Sequence, residues 1–307
     1  MVTAFAPATV ANLNCGFDVL GMAIAAPGDE VSVWFNDANT VRIVEITGDE
    51  GRLSYLPEKN TATGGMLTLL QHVDCQRGVD VRIAKKMPFG SGLGSSAASA
   101  VAGVMALNRL LGSPLSKKQL VSFALDGEVI ASGSRHADNV APSMLGGIVL
   151  IRGYNPLDMI ELPAPENLFC VAVYPKVEIL TKEARNILPK EIPLQTAITQ
   201  TGNLAGLVSA LYTQDFSLLE RSMTDLFAEP YRAPLIPHFH QLRQLALARQ
   251  ALAFGISGSG PGMFALTLTH HAAEAVSFTL QQFLQDQQIP CMTFVSTINR
   301  SGAVIVS

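Results

Sequence analysis

Residues 88–99, PFGSGLGSSAAS, combine three glycines and four serines directly before the apolar run at 100–107. The start of a helix offers unpaired N–H groups and the positive end of the helix dipole, and both attract phosphate. Serine hydroxyls can also bond an oxyanion or ligate Mg²⁺. A connecting loop with a serine cap has the same composition. A Walker loop needs a lysine after Gly94, and a dinucleotide fingerprint needs a glycine at position 95; the chain has neither.

Glu128 is a second residue whose position suggests chemistry. On the helix predicted from Ser116 onward it follows Ala124 by four residues and Leu120 by eight, in line with the apolar stripe. A carboxylate on a buried face needs a cation or titrates at a raised pKa. An ion pair with an arginine such as Arg135 would meet this need, and so would a metal ion.

Composition and charge argue against several classes of partner. The chain has 307 residues, is 48% hydrophobic and carries a net charge of −4 without a long cluster of Lys or Arg, which argues against nucleic acid. No stretch approaches ~18 uninterrupted apolar residues, which argues against a membrane span. Its four cysteines are scattered and form no CxxC pair, as in reduced compartments. No Lys or Arg precedes Arg42, so we expect no signal peptide and a cytoplasmic location.

The elements that position these residues can be predicted from periodicity and breakers. In the first half, strands are predicted at Val31–Phe35, Val41–Ile46, Val79–Ala84 and Gly147–Ile151, and helices at Ser95–Leu111 and from Ser116 to about Ser132. In the second half, strands are predicted at Phe169–Tyr174, 263–268, 292–296 and Ala303–Val306, and helices near 196–212, 216–228, 238–253 and 272–287. We therefore expect two α+β halves, residues 1–162 and 163–307.

Five separated motifs carry a resemblance to a known family. The segment Pro88-x-x-x-Gly92-Leu-Gly-Ser-Ser-Ala-Ala98 resembles the phosphate-binding motif of the GHMP kinases, and 255–261 (GISGSGP) resembles their C-terminal glycine motif. Residues 6–21, 135–142 and 229–234 are similar to the homoserine kinase branch. Asn14-Cys15 and Gly262 depart from the usual pattern. The first strand lacks the lysine common in mevalonate kinases, which argues against that branch.

The resemblance implies a fold and an activity. The expected fold is a two-domain α+β GHMP kinase, with an N-terminal phosphate-loop domain and a C-terminal ferredoxin-like α/β sandwich. The expected reaction is the ATP-dependent phosphorylation of L-homoserine to O-phospho-L-homoserine in threonine biosynthesis. Because the family often forms dimers, a homodimer is also expected. Another GHMP-type small-alcohol kinase and a non-catalytic nucleotide-binding homologue are the alternatives.

The resemblance also implies roles for individual residues. Mg²⁺ would be held by Ser96 and Glu128, the substrate ammonium would lie near Asn12 and Asp18, and its carboxylate near Arg185 and Arg232. The residues implied in ATP binding are Asn60, Pro88, Gly90, Ser91, Gly92, Leu93, Gly94, Ser95, Ser96 and Ala97. The residues implied in catalysis are Asn139, His136, Glu128 and Thr181, and His136 is also implied in substrate binding.

The segment around His136 and Asn139 lies between Gly133 and the pair Gly146-Gly147, which predicts a constrained loop. By resemblance, Asn139 faces the acceptor hydroxyl and no residue acts as a dedicated base. The neighbouring Asp138 is the alternative base. Thr181 and Arg185 are four residues apart, so a helix would place both on one face.

Overall fold

The computed structural model describes residues 1–177, 179 and 181–307, without the side chains of Ser132, Thr181 and Lys182. The strands are β1 (Val2–Ala11), β2 (Leu20–Asn36), β3 (Val41–Thr47), β4 (Gly78–Ala84), β5 (Ile148–Tyr154), β6 (Leu157–Leu162), β7 (Phe169–Pro175), β8 (Ala253–Ile256), β9 (Met263–Thr267), β10 (Cys291–Thr297) and β11 (Val304–Ile305). The helices are α1 (Thr61–His72), α2 (Ser95–Leu110), α3 (Lys117–Ser132), α4 (Ala137–Leu145), α5 (Thr181–Asn186), α6 (Leu194–Thr213), α7 (Phe216–Ser222), α8 (Glu229–Arg232), α9 (Phe239–Ala248) and α10 (His270–Asp286).

The first sheet has the order β11-β1-β2-β4-β3, and β5 and β6 extend it from β2. Only the β3–β4 pairing is parallel among the pairs described in this sheet. Helix α2 packs against β1 and β2 and also contacts α1, α3 and α4. Its small residues allow close packing: a Cβ on Gly103 would lie 2.0 Å from the Ala62 carbonyl oxygen. Contacts with the sheet and with three helices therefore fix the position of α2.

The second sheet is antiparallel with the order β10-β7-β9-β8. Helix α10 packs against β7, β9 and β10, and α9 packs against β8. Counted along the chain, the four strands are arranged as 4-1-3-2 with helices on one face, which is the ferredoxin-like sandwich expected above. A separate cluster of buried side chains, including Phe239, Leu242 and Leu280, fills the space between this sheet and its helices.

Several predicted elements differ from the structure in their bounds. The strand predicted at Val31–Phe35 is the end of the much longer β2, and sequence patterns predict neither β1 nor α1. The helix predicted over 216–228 is wrong beyond Ser222, because the carboxylate of Asp225 instead accepts hydrogen bonds from the backbone N–H groups of residues 227, 228 and 229. The helix predicted near 238–253 ends at Ala248, and β8 follows it.

Candidate active site

A cleft of about 360 Å³ is lined by helix and loop residues from both the N-terminal and the C-terminal parts of the chain and contains most of the predicted site. The residues that line it include 89–92 and 94–96 of the glycine loop, Asn12 and Asp18, Glu128 of α3, His136, Asp138 and Asn139, the two arginines at 185 and 232, and residues 258–260. These groups lie far apart in the chain, and the fold brings them to one place.

The glycine loop enters α2 in a conformation that its glycines permit. Gly90, Gly92 and Gly94 have φ values of +62°, +71° and +67°, which side chains with a Cβ rarely adopt. Ser257 of the C-terminal glycine motif (255–261) stabilises the loop, because its Oγ donates to the Gly92 carbonyl at 2.6 Å. Gly94 occupies the N-cap position of α2 and makes no side-chain capping bond, and the first-turn residues Ser95 and Ser96 line the cleft.

Not all residues predicted to bind ATP line the cleft. Gly90, Ser91, Gly92, Gly94, Ser95 and Ser96 line it, whereas Pro88 lines a neighbouring cavity and Leu93 and Ala97 are buried in the core. Asn60 is 1% exposed. Its side chain caps α1 by accepting from the Ala62 N–H at 3.0 Å and donates to the Ser54 carbonyl at 2.8 Å. Both ends of its amide are therefore engaged within the protein.

Ser96, in the first turn of α2, contacts Glu128 of α3. The Ser96 hydroxyl donates to Glu128 Oε1 at 2.9 Å, and Glu128 is 9% exposed. Burial raises the pKa of Glu128 to about 7, and Asp138 adds to the rise, while the Ser96 hydrogen bond and the charge of Lys85 oppose it. The suggested ion pair with Arg135 is wrong, because Arg135 instead donates to Asp126 at 2.6 Å on the exposed side of α3.

Lys85 is the functional candidate that sequence reasoning missed. It follows β4 directly, its side chain is 2% exposed, and it forms a buried ion pair with Asp29 of β2. Its ammonium also donates to the Ser95 carbonyl at 2.9 Å and to Ser99 Oγ at 2.7 Å, so it joins β2 to the start of α2. Burial lowers its pKa and Asp29 opposes that shift. A lysine at the end of an apolar strand, next to the glycine loop, was the signal available in the sequence.

Charged groups of both signs occupy the other end of the cleft. Arg185 Nη2 donates to both carboxylate oxygens of Asp18, at 2.8 and 3.0 Å. Arg232 is 4% exposed and donates to the carbonyls of Ala184 and Gly258 at 3.0 and 2.8 Å. Burial lowers the pKa of Arg232, and the nearby Arg185 adds to this. Asp18 and Arg185, predicted at opposite ends of a substrate, therefore pair with each other here.

Asn12 shapes the turn that carries Asp18. Its backbone is left-handed, with φ +73°, and its Oδ1 accepts from the Asp18 N–H at 3.1 Å. Its Nδ2 donates to the Gly258 carbonyl, at 3.1 Å, which Arg232 also contacts. Asn12 thus connects Asp18 with the C-terminal glycine motif at 255–261.

The loop predicted around His136 and Asn139 is wrong, because α4 begins directly after His136 and includes Asn139. The flanking glycines end helices: Gly133 is the C-cap residue of α3 and Gly146 that of α4. The His136 side chain makes no capping bond, and the Tyr154 hydroxyl instead accepts from the Ala137 N–H at 3.0 Å. The start of α4 therefore presents His136, Asp138 and Asn139 to the cleft.

Two titratable groups at the start of α4 are shifted by burial. Burial lowers the pKa of His136, whose Nδ1 lies 3.9 Å from Asp18 Oδ1. Asp138 is 4% exposed, and burial raises its pKa to about 7. Among the described residues, Asp138 Oδ1 and His136 Nε2 have no hydrogen-bond partner. Thr181 begins α5, as the spacing to Arg185 predicted, but its side chain lies outside the described part of the structure.

A glycine loop at a helix start, a buried carboxylate beside it and a charged acceptor end together define a small-molecule kinase site. The model for the GHMP kinases N terminal domain matches residues 60–147, and that for GHMP kinases C terminal matches residues 207–286. A homoserine kinase from Chlorobaculum tepidum is 46% identical, covering 100% of this chain and 98% of the relative. One from Chlorobium phaeobacteroides is 43% identical over 99% of both chains.

Solved structures agree with these sequence relatives. A crystal structure of homoserine kinase from Cytophaga hutchinsonii has a TM-score of 0.97 at 49% identity and covers 99% of this chain and 97% of its own. A mevalonate kinase from L. major, solved with R-mevalonate, has a TM-score of 0.72 over 97% and 96% of the two chains, but at 16% identity it shows the fold alone. The chain belongs to the GHMP kinase family and, within it, to the homoserine kinases.

Proposed function

We propose that this protein transfers the γ-phosphoryl group of ATP to the side-chain hydroxyl of L-homoserine, forming O-phospho-L-homoserine for threonine biosynthesis. One observation carries the proposal. The cleft that contains the glycine loop ends in a carboxylate, Asp18, and two guanidinium groups, Arg185 and Arg232. An α-amino acid has charges of both signs, and this end of the cleft offers a partner for each. The names of the relatives at 43–49% identity support the same substrate.

The acceptor site would work by exchange of ion pairs. The substrate ammonium would take Asp18, and the substrate carboxylate would take Arg185 and the buried Arg232. The Asp18–Arg185 ion pair then separates without leaving either charge unpartnered. An alcohol that lacks one of the two charges would break the Asp18–Arg185 pair and replace only half of it, which disfavours its binding.

The phosphate end would bind ATP with Mg²⁺. The backbone N–H groups at the start of α2 are suited to the phosphate oxygens, and Ser91, Ser95 and Ser96 add hydroxyls. Ser96 and Glu128 fit Mg²⁺, because they supply a hydroxyl and a buried carboxylate within 2.9 Å of each other, and burial has raised the pKa of that carboxylate to about 7. Mg²⁺ uses few protein oxygens and completes its shell with water and phosphate. When bound, the ion would neutralise charge on the transferred phosphoryl group.

The residues of α4 would orient the acceptor hydroxyl. Asn139 lines the cleft beside the glycine loop and would hydrogen-bond the hydroxyl, while His136, kept neutral by burial, would bond the substrate near Asp18. Phosphoryl transfer with a loose transition state depends on positioning and charge neutralisation, so it requires no dedicated base. We assign Thr181 to the same catalytic group by family resemblance.

We also propose a cytoplasmic location and a homodimer. No helix among the described residues is long and apolar enough to cross a membrane.

The 20-residue helix α6 contains no Asp, Glu, Lys or Arg, although Leu194, Ile198 and Tyr212 on it are 76%, 56% and 60% exposed. An uncharged, partly apolar face of this kind suits contact with a second copy. Sedimentation velocity of the wild type and of Ile198→Glu measures this: a dimer that dissociates in the variant supports it, and a wild-type monomer contradicts it.

The substrate is tested by ADP release with a panel of alcohols under ATP and Mg²⁺. L-homoserine should react much faster than mevalonate and galactose. 4-Hydroxybutyrate, which lacks the ammonium, and 3-aminopropan-1-ol, which lacks the carboxylate, separate the two halves of recognition, and each should be a poor substrate. Preference for mevalonate or galactose would mean another small-alcohol kinase, and no ADP with any alcohol would mean a non-catalytic homologue.

A further inference from the structure

Thr9 of β1 joins two parts of the site that the sequence places 130 residues apart. The pairing of β1 with β2 shifts register between Pro7 and Thr9, so Thr9, which pairs with Ala23, directly follows an irregular step of the ladder. The Thr9 N–H donates to the Leu93 carbonyl of the glycine loop at 3.0 Å. Its hydroxyl donates to Asn139 Oδ1 of α4 at 2.7 Å, and Thr9 is 0% exposed. One buried residue therefore holds both the loop and the helix.

Gly94 leaves room for this hydrogen bond. A Cβ on Gly94 would lie 2.1 Å from Thr9 Oγ1 and 2.8 Å from Asn139 Oδ1, closer than any real Cβ contact. Gly94 is also the last residue before α2 and has φ +67°. The hydrogen bond between Thr9 and Asn139 is thus packed directly against the start of the phosphate-binding helix.

The bond occupies the carbonyl end of the Asn139 amide. An asparagine side chain has one carbonyl acceptor and one NH₂ donor. The carbonyl accepts from Thr9, and the NH₂ group has no hydrogen-bond partner among the described residues. Asn139 lines the cleft, so the NH₂ group is the part of the amide left for a ligand.

We propose that Thr9 is a positioning residue that fixes the amide orientation of Asn139, so that Asn139 presents N–H groups to the oxygen of the acceptor alcohol. This inference rests on the proposed kinase function. An N–H donor binds a lone pair of the hydroxyl oxygen, so the hydroxyl proton points away from Asn139. Asn139 then orients the nucleophile and does not remove its proton. Without the Thr9 hydroxyl, the amide can turn over and present its carbonyl instead.

The test compares Thr9→Val, which has nearly the same shape but no hydroxyl, with Thr9→Ser, which keeps the hydroxyl. Misplacing a reacting group by about 1 Å can cost 10²-fold in rate. We expect Thr9→Val to lower kcat about 10- to 100-fold with KM for homoserine and ATP within about twofold, because substrate charges are bound by other residues. Thr9→Ser should restore kcat to within about threefold of the wild type. Thr9→Ala is the second hydroxyl-free variant should Thr9→Val fail to fold.

A double-mutant cycle with Asn139→Ala ties the effect to the proposed partner. If Thr9 acts through Asn139, Thr9→Val should change kcat by less than about threefold in the Asn139→Ala background. A kcat for Thr9→Val within fivefold of the wild type would overturn the proposal. Equal losses in Thr9→Val and Thr9→Ser, or losses that multiply in the double variant, would do the same.

The assay keeps this inference separate from the proposed function. Every comparison is a ratio to the wild type, so it can be made with whichever alcohol the wild type phosphorylates. The same cycle can also be run on urea unfolding without any substrate, where the Thr9–Asn139 bond should appear as coupling between the two substitutions. A wild type inactive on homoserine would refute the proposed substrate, while the absence of unfolding coupling would refute the Thr9 assignment.

Discussion

Asp138 should make the stability of this protein depend on pH in a direction opposite to that of most aspartates. Burial raises its pKa from an ordinary 3.8 to about 7. The folded protein keeps this proton up to about pH 7, whereas the unfolded chain releases it near pH 4. Between these values the folded state binds more protons, so stability falls as pH rises and then stays low above pH 7.

The size of the effect follows from the two pKa values. A rise from 3.8 to about 7 corresponds to roughly 4 kcal/mol, and the part acting between pH 5.5 and 7 is about 2 kcal/mol. Asp138→Asn keeps the shape and removes the charge. The difference in unfolding free energy between variant and wild type should therefore move by about 2 kcal/mol in favour of the variant from pH 5.5 to pH 8.

Urea unfolding at a series of pH values measures this difference, with Asp286→Asn as the control because Asp286 is exposed at the end of α10. The control should track the wild type at every pH. A flat difference between Asp138→Asn and the wild type would refute the reasoning, since it would mean that Asp138 is already ionised in the folded protein at pH 5.5.

The same variant tests whether Asp138 is a general base. A base contributes typically ~10²–10⁴-fold. We expect Asp138→Asn to be milder than Asn139→Leu, which removes the amide that orients the hydroxyl, and to keep the acidic limb of the pH–rate profile. Loss of turnover together with that limb, in a folded Asp138→Asn protein, would make Asp138 the base.

Three further predictions concern the groups around the site. Glu128→Gln should lower turnover and raise the Mg²⁺ concentration needed for half-maximal rate; an unchanged Mg²⁺ titration would make Glu128 structural. Lys85→Met leaves the carboxylate of Asp29 buried without its cation, so we expect the free energy of unfolding measured in urea to fall by about 3–5 kcal/mol. The double variant Lys85→Met/Asp29→Asn should recover part of this loss. An unfolding free energy of Lys85→Met within about 1 kcal/mol of the wild type would contradict the prediction. Tyr154→Phe removes the acceptor for the Ala137 N–H and should cost about 1 kcal/mol of stability and lower kcat; wild-type values for both would exclude a role in holding α4.

The sequence predicted the phosphate end of the site better than the acceptor end. The loop at 88–99, the start of α2 at Ser95 and the capping box at Ser116 depend on residues close together in the chain, and the structure confirms these elements. The burial of Glu128 also follows from local pattern, because Glu128 lies in line with the apolar stripe of α3, whereas its partner Ser96 was implied only by the family resemblance. The expectation of a loop at 133–147 failed because no side-chain cap marks the start of α4: His136 makes no capping bond, and the acceptor for the Ala137 N–H is Tyr154, 17 positions away.

Long-range contacts decided the rest. The partner of Arg185 is Asp18, 167 positions away, the cap of α4 comes from Tyr154 on β5, and Thr9 reaches Asn139 across 130 positions. No local propensity encodes such pairs, since each depends on how two sheets and their helices pack. The sequence by itself determined the family, the two α+β halves and the types of groups available for chemistry. Only the tertiary structure decided which of those groups are buried, which are already paired and which atoms remain for a ligand, because burial and hydrogen bonding are properties of the packed chain.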